Sequence, residues 1–234
     1  MERTNGSTWR TIGAASAIYL ALSYAVGMAI FLIALRYTEI PDLAGRLAVV
    51  VENSSLVFAT NLMMYILFGP ALIGLALAIR NEASVGNAAA GRAPVDLAAV
   101  IGAVWAGSLV ASGMVANAAI EPAMELYAKN RAEAEAYWRA IETVTIGLGN
   151  GNGEILGSLF TFFVSLAALR GNFLSRPVAI LGFAACVPGF LSVLPTLHDL
   201  SGLFGILQLI WFALIAASLL KSKRLGAITS PRRS

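Results

Sequence analysis

The stretch Val95–Ile120, VDLAAVIGAVWAGSLVASGMVANAAI, carries a single charged side chain, that of Asp96 at its second position. A helix needs ~20 mainly apolar residues to cross the hydrocarbon core of a bilayer. This stretch therefore predicts a membrane-spanning helix. The pattern recurs along the chain, and we expect six spans, at Thr11–Leu35, Ser54–Ile79, Val95–Ile120, Glu154–Leu169, Val178–Pro195 and Leu200–Leu220.

The whole chain has the composition of a membrane protein. Of its 234 residues, 58% are hydrophobic and 12% are charged, and the mean hydropathy is +0.77. Soluble domains carry about 25% charged residues, and a chain of this length would still have most of its surface to solvate. The apolar runs are continuous and lack the alternation of barrel strands. The sequence therefore predicts an all-α membrane helix bundle that forms one integral domain over residues 1–234.

Lysine and arginine are distributed unevenly between the loops, and this distribution sets the orientation of a membrane protein. With the N-terminus inside, eleven of the sixteen basic residues fall on the inner side, while ten of the thirteen acidic residues fall outside. We therefore expect both tails, residues 1–10 and 221–234, in the cytoplasm. The net charge of +3 reflects this orientation, so we expect contact with anionic lipid headgroups and none with nucleic acid.

The connection between the third and fourth spans has the pattern of an amphipathic helix. It opens with Glu121–Pro122, and proline is favoured in the first turn of a helix. Apolar side chains then recur at helical spacing, at Tyr127, Ala134, Trp138 and Ile141. The pattern predicts a helix over residues 121–146, which either lies on the outer membrane surface or packs over the mouth of the bundle.

The stretch Ile146–Phe160, IGLGNGNGEILGSLF, places a glycine at every second position from 147 to 153, just before an apolar run. It lacks the third glycine of G-x-G-x-x-G and a preceding strand, so we exclude a phosphate cradle. In a helix, Gly149, Gly153 and Gly157 would form a small-residue stripe for close packing. Outside a helix, these glycines would turn the chain into the bilayer. We expect the upper part to bend and the lower part to pack.

Polar side chains gather towards the predicted outer ends of the spans, while the middle of each span lacks lysine, arginine, aspartate and glutamate. This distribution argues against a charged relay through the membrane. The candidate ligand-binding residues are Asn61, Asn117, Glu121, Asn150, Glu154, His198, Asp199 and Gln208. Each also has a structural explanation. Asn61, Asn117 and Gln208 would form interhelical hydrogen bonds worth ~0.6 kcal/mol each, Glu121 would begin the surface helix, and Asp199 would cap the last helix.

Enzymatic chemistry has little support in the residue content. His198 is the one histidine, whereas a catalytic zinc site needs about three protein ligands and serine catalysis needs a base beside the nucleophile. Cys186 is the one cysteine, so the chain forms no internal disulfide, and we expect a small buried residue there. We therefore predict no catalytic residue and no metal ligand, and the sequence identifies no cofactor.

The segment Leu169–Leu191, LRGNFLSRPVAILGFAACVPGFL, and the following Gly205–Leu220 resemble part of a known family. This is a large bacterial family of six-helix membrane proteins known only as a domain of unknown function. Members of the family often have a short inner loop with a Pro-Arg pair, and this chain has the reverse order, Arg176–Pro177. The other shared features are a Leu-Gly pair at a helix start, here Leu181–Gly182, and a tryptophan in the last helix, here Trp211. The resemblance implies a six-helix fold and supplies no activity and no catalytic residues.

Three functions are open at this point. We first expect a non-enzymatic protein of a bacterial inner membrane that binds or transports a small neutral or cationic amphiphile at an outward-facing cavity. The alternative is an accessory or assembly subunit that uses the glycine stripe to contact a membrane protein partner or a second copy of itself. The third is a membrane-embedded hydrolase that uses His198 and Asp199.

Overall fold

The computed structural model of the chain describes residues 2–84, 89–150 and 153–228. Within these ranges the chain forms nine α-helices: α1 Glu2–Met28, α2 Leu43–Glu52, α3 Ser54–Asn61, α4 Phe68–Ser84, α5 Ala89–Lys129, α6 Arg131–Thr145, α7 Gly153–Gly171, α8 Arg176–Leu191 and α9 Leu200–Ile228. Short π-helical turns follow α1, α3 and α6, at Ala29–Ala34, Leu62–Ile66 and Ile146–Asn150. Two 3-10 turns lie at Tyr37–Glu39 and Pro195–Leu197.

The prediction of an all-α chain with several long apolar helices is confirmed. Among the described residues, five helical stretches are long and apolar enough to cross a membrane: Gly6–Ala34, Ser54–Ser84, Gly91–Lys129, Arg131–Gly171 and Leu200–Lys221. The remaining apolar helix, α8, has 16 residues. At 1.5 Å per residue it is about 24 Å long, which is shorter than a hydrocarbon core of ~30 Å.

The helix after the third span begins later than the sequence predicts. Instead of ending at Ile120, α5 runs for 41 residues through Pro122 to Lys129. The reason is burial, because Ile120 and Ala123 lie on either side of the Glu121–Pro122 pair and both pack into a hydrophobic core. The next helix, α6, begins behind Asn130, whose side-chain oxygen accepts hydrogen bonds from the backbone N–H groups of residues 132 and 133.

Residue contacts divide the chain into two compact units. The first unit comprises Met1–Leu22, Pro70–Val104 and Glu154–Ser234, and the second comprises Ser23–Gly69 and Trp105–Gly153.

In the first unit, helices approach one another through glycine. On α8, a Cβ atom at Gly182 would overlap the Ser165 hydroxyl and lie 2.7 Å from the Trp211 indole nitrogen. About two turns further along α8, a Cβ atom at Gly189 would overlap the hydroxyl of Ser158. Because Ser158 and Ser165 are both buried on α7, these glycines let α7 and α8 pack with little space between them.

α7 and α9 are joined by a buried hydrogen-bonded pair. The Thr161 hydroxyl donates to Gln208 Oε1 at 3.1 Å and accepts from Gln208 Nε2 at 3.0 Å. Phe160 and Trp211, both fully buried, pack edge to face with ring centroids 6.2 Å apart. The α7–α9 interface therefore combines a satisfied polar pair with aromatic packing.

The second unit has a hydrophobic core built from α2, α5 and α6. Leu47, Ala123 and Ala134 are fully buried in it, and Trp138 is nearly so. This core explains why α2 and α6 are amphipathic. Each of these helices places its apolar side chains on the shared core and its charged ones elsewhere.

A cluster of charged and polar side chains stabilises the edge of this core. Arg46 binds Glu142 with two hydrogen bonds of 3.0 Å, one from Nε to Oε1 and one from Nη2 to Oε2. The Tyr37 hydroxyl donates to the same Oε1 atom at 2.8 Å. Burial raises the pKa of the Tyr37 phenol well above its usual value near 10, and the Glu142 carboxylate raises it further. The hydrogen bonds with Glu142 also raise the pKa of Arg46.

The packing at Gly182 predicts a selective effect of adding a methyl group. We expect Gly182→Ala to destabilise the protein by about 1–3 kcal/mol, because the new methyl overlaps Ser165 in a closely packed interface. Gly107→Ala is the matched control, since a Cβ there meets nothing within 4 Å and alanine favours helix by up to about 1 kcal/mol. Thermal unfolding of the detergent-purified variants measures both. Equal midpoints would contradict the close α7–α8 packing.

The Tyr37 environment predicts a loss of stability in alkali. A phenol whose pKa is raised on folding holds its proton more tightly in the folded state, so stability is intact below pH ~10 and falls above it. The slope is at most about 1.4 kcal/mol per pH unit. We expect Tyr37→Phe to lose less stability than the unaltered chain between pH 10 and 11, as measured by chemical unfolding at each pH. Parallel losses in the two proteins would count against the buried phenol.

Candidate functional site

The sequence-predicted polar residues of the second unit differ in burial, and one of their side-chain oxygens, Asn117 Oδ1, is buried with no hydrogen-bond partner among the described residues. Asn61 is buried, and Glu121 is exposed on the surface of α5. Asn117 donates from Nδ2 to the backbone carbonyl of Phe58 at 3.2 Å, so it joins α5 to α3. The side chain of Asn150 lies outside the described residues. Among these four residues, the structure describes one interhelical side-chain hydrogen bond, from Asn117 to Phe58.

In the first unit, two of the predicted residues lie within electrostatic range of each other. The half-buried Glu154 carboxylate interacts electrostatically with His198, which is exposed between α8 and α9. One of its oxygens, Oε2, is buried and has no hydrogen-bond partner among the described residues. Asp199 is exposed. The Gln208 side chain is fully buried and forms hydrogen bonds with Thr161, so it stabilises the α7–α9 interface.

The upper part of the glycine-rich stretch bends, as the sequence predicted, and the alternative of one helical glycine stripe is wrong. Gly149 has φ 147° and ψ −5°, so the helix breaks there and Gly149, Gly153 and Gly157 do not share one continuous helical face. Only glycine adopts such a backbone conformation without strain. A Cβ at Gly149 would also lie 3.0 Å from Ser108 Oγ on α5. Gly157 is buried within the chain, so it is not exposed for a partner.

A cavity of about 290 Å³ lies near the N-terminal ends of α1 and α5 and the C-terminal end of α4. All its lining residues belong to the first unit: Trp9 from α1; Leu77, Arg80, Asn81, Ala83 and Ser84 from α4; Arg92, Val95 and Asp96 from α5. The volume is at the small end of the roughly 300–1,000 Å³ typical of ligand pockets. The cavity therefore has room for a headgroup and not for a complete lipid.

The charges around the cavity differ in how firmly they are paired. Arg80 Nε lies 2.6 Å from Asp96 Oδ1, in a pair whose side chains are 52% and 41% exposed. Arg92 is exposed and has no ion-pair partner among the described residues. Beside the cavity, Arg10 Nε lies 2.8 Å from Glu82 Oε1, and this carboxylate is only 9% exposed. The cavity lining itself thus carries two arginines and one aspartate.

The position of Arg92 is electrostatically unfavourable for an unpaired cation. It is the fourth residue of α5, where the helix dipole favours negative charge, and the first turn of α5 contains no acidic residue. The amide nitrogen of Asn81, also in the lining, has no hydrogen-bond partner among the described residues. Both groups are therefore suited to an anionic or hydrogen-bond-accepting ligand.

The sequence alone does not single out this site, because Arg80 and Arg92 count there among the inner basic residues that set the orientation. A signal was present, since the acidic residues Glu82 and Asp96 lie close to the same arginines in the sequence. Only the packing of α1 against α4 and α5 could bring Trp9 to the same cavity.

No family model, curated protein or solved structure matches the chain. The resemblance to the six-helix bacterial family therefore stays a prediction. Among the described residues, no three His, Cys, Asp or Glu side chains come together as metal ligands would. The function must be argued from the geometry of the chain itself.

Proposed function

We propose that the chain is a non-enzymatic integral membrane protein that binds an amphiphile at the cavity between α1, α4 and α5. In this proposal the chain crosses the bacterial inner membrane six times, both termini are cytoplasmic, and the cavity opens at the cytoplasmic end. The observation that carries the proposal is the cavity, which combines apolar walls with polar and cationic groups at one end of three apolar helices.

Six crossings require α8 to span the membrane, although it is the shortest apolar helix. Its exposed side chains support this, because Ile180 and Val187 are 62% and 57% exposed and lie on one helical face. In lipid, exposure of such an apolar face carries no free-energy penalty. A helix of about 24 Å can be accommodated by local thinning of the bilayer, at a modest cost per ångström of mismatch.

The six-span topology predicts which sites an impermeant reagent reaches. In a Cys186→Ser background, we expect cysteines at Thr38 and Thr196 to be labelled in intact cells, and cysteines at Ser84 and Ser175 to be labelled only after permeabilisation. All four positions are exposed, so differences in labelling report the side of the membrane. If Thr196→Cys behaves like Ser84→Cys, then α8 does not cross and the six-span proposal is wrong.

The walls and rim of the cavity suit the two parts of an amphiphile. Leu77 and Val95 supply apolar surface, and Trp9 supplies an aromatic ring of the kind enriched at membrane–water interfaces. Arginine and asparagine side chains supply the polar rim. With about 290 Å³ available, the headgroup enters the cavity and the acyl chains stay in the bilayer.

Blocking the cavity tests the proposal. We expect the detergent-solubilised, delipidated protein to bind one molecule of a short-chain phospholipid, as counted by native mass spectrometry. Ser84→Trp should weaken this binding about tenfold or more, equal to about 1.4 kcal/mol, because the indole ring fills space at the rim.

The matched control is Ser175→Trp, which adds the same ring at an exposed serine between α7 and α8. Thermal unfolding confirms that each variant is folded. Unchanged lipid binding in a folded Ser84→Trp protein, or an equal loss in the Ser175→Trp control, would remove the cavity as the binding site.

A further inference from the structure

We infer that the headgroup recognised by the cavity is a phosphate anion, held by Arg92 and Arg80, and that Asp96 competes with it for Arg80. This inference rests on the proposed function and specifies the chemistry of its ligand. It reverses the expectation of a neutral or cationic amphiphile, because the groups that line the cavity are cationic in excess.

Arg92 supplies the first argument. Its guanidinium lines the cavity, is exposed, and has no carboxylate partner in the described part of the chain. A guanidinium presents parallel N–H groups that match two phosphate oxygens. A phosphate beside Arg92 would also lie near the first turn of α5, where the helix dipole favours negative charge.

The contrast between two ion pairs supplies the second argument. Arg10–Glu82 is largely buried, with side chains 25% and 9% exposed, so separating it would strand a buried carboxylate. Arg80–Asp96 is 52% and 41% exposed, and pairs this exposed are worth little. Arg80 can therefore exchange Asp96 for a ligand oxygen at small cost, whereas Arg10 stays with Glu82.

The unpaired amide of Asn81 supplies the third argument. It follows Arg80 on α4, lines the same cavity, and its nitrogen lacks an acceptor among the described residues. A phosphate has oxygens enough to accept from this amide and from both arginines. A cationic headgroup would leave the Asn81 amide and the Arg92 guanidinium without an acceptor, and Arg80 would keep only Asp96.

The shared chemistry of a phosphate has two sources, a phospholipid headgroup and free inorganic phosphate. Dioctanoyl phosphatidylglycerol, dioctanoyl phosphatidylcholine and inorganic phosphate alone are the probes, and each is titrated into the delipidated full chain. We expect phosphatidylglycerol to bind several-fold more tightly than phosphatidylcholine, since the choline group would place a cation beside Arg80 and Arg92. We expect this preference to fall as the salt concentration rises.

Two substitutions should move the affinity for phosphatidylglycerol in opposite directions. Asp96→Asn removes the competing carboxylate and should tighten binding about three- to fivefold. Arg92→Gln should weaken it about tenfold. Arg176→Gln and Asp199→Asn are the controls, because each neutralises an exposed charge outside the cavity lining and should leave the affinity unchanged.

The possible results distinguish failure of the phosphate inference from failure of the proposed function. Binding that Ser84→Trp abolishes, but that ignores headgroup charge and both cavity substitutions, would overturn the phosphate inference and leave the amphiphile site in place. Absence of lipid binding in the unaltered chain would overturn both. Inorganic phosphate that binds as tightly as phosphatidylglycerol, with the same response to Arg92→Gln, would support phosphate recognition and assign it to the free ion.

Discussion

Close approach of helix backbones is the constraint on which the first unit of this structure depends. At Gly182 and Gly189, α8 comes so near to serines of α7 that a single added methyl group would overlap them. In an apolar solvent, helices gain nothing from the hydrophobic effect when they associate, so contact through small residues and a few hydrogen bonds must hold them together. The Thr161–Gln208 pair forms such hydrogen bonds, and both of its side chains are fully buried.

Charge plays two different parts at the helix ends. In the second unit, Arg46 and Glu142 form a two-point ion pair that Tyr37 completes, and every group has its partner. This arrangement stabilises the edge of a core, because Arg46 and Tyr37 both donate to Glu142. In the first unit, Arg80 shares an exposed carboxylate and Arg92 has none among the described residues. Charged groups that lack a full set of ion-pair partners beside a cavity can bind a ligand, whereas a fully paired cluster stabilises the fold.

Much of the helical fold could be predicted from apolar run length, and the exceptions have local causes. The third span was predicted to stop at Ile120 because the charged, proline-containing pair Glu121–Pro122 follows it. Burial of Ala123 on the same helix face outweighed that signal and carried α5 on to Lys129. The true start of α6 had a readable signal in Asn130, an N-cap residue with a glutamate three positions later.

The sequence by itself determined the all-helical class, the approximate extent of the long apolar helices and the uneven placement of charge, because each depends on composition and local spacing. Tertiary structure decided which polar groups have hydrogen-bond or ion-pair partners within the chain. Gln208 is paired with Thr161, whereas Arg92 lies beside a cavity and has no ion-pair partner in the part of the chain that the structure describes. The sequence also predicted a bend in the glycine-rich stretch, and the tertiary structure decided that it falls at Gly149, whose φ of 147° breaks the helix. The pairing of polar groups and the position of the bend depend on which helices meet, and neighbours in space are set by packing that no single segment encodes.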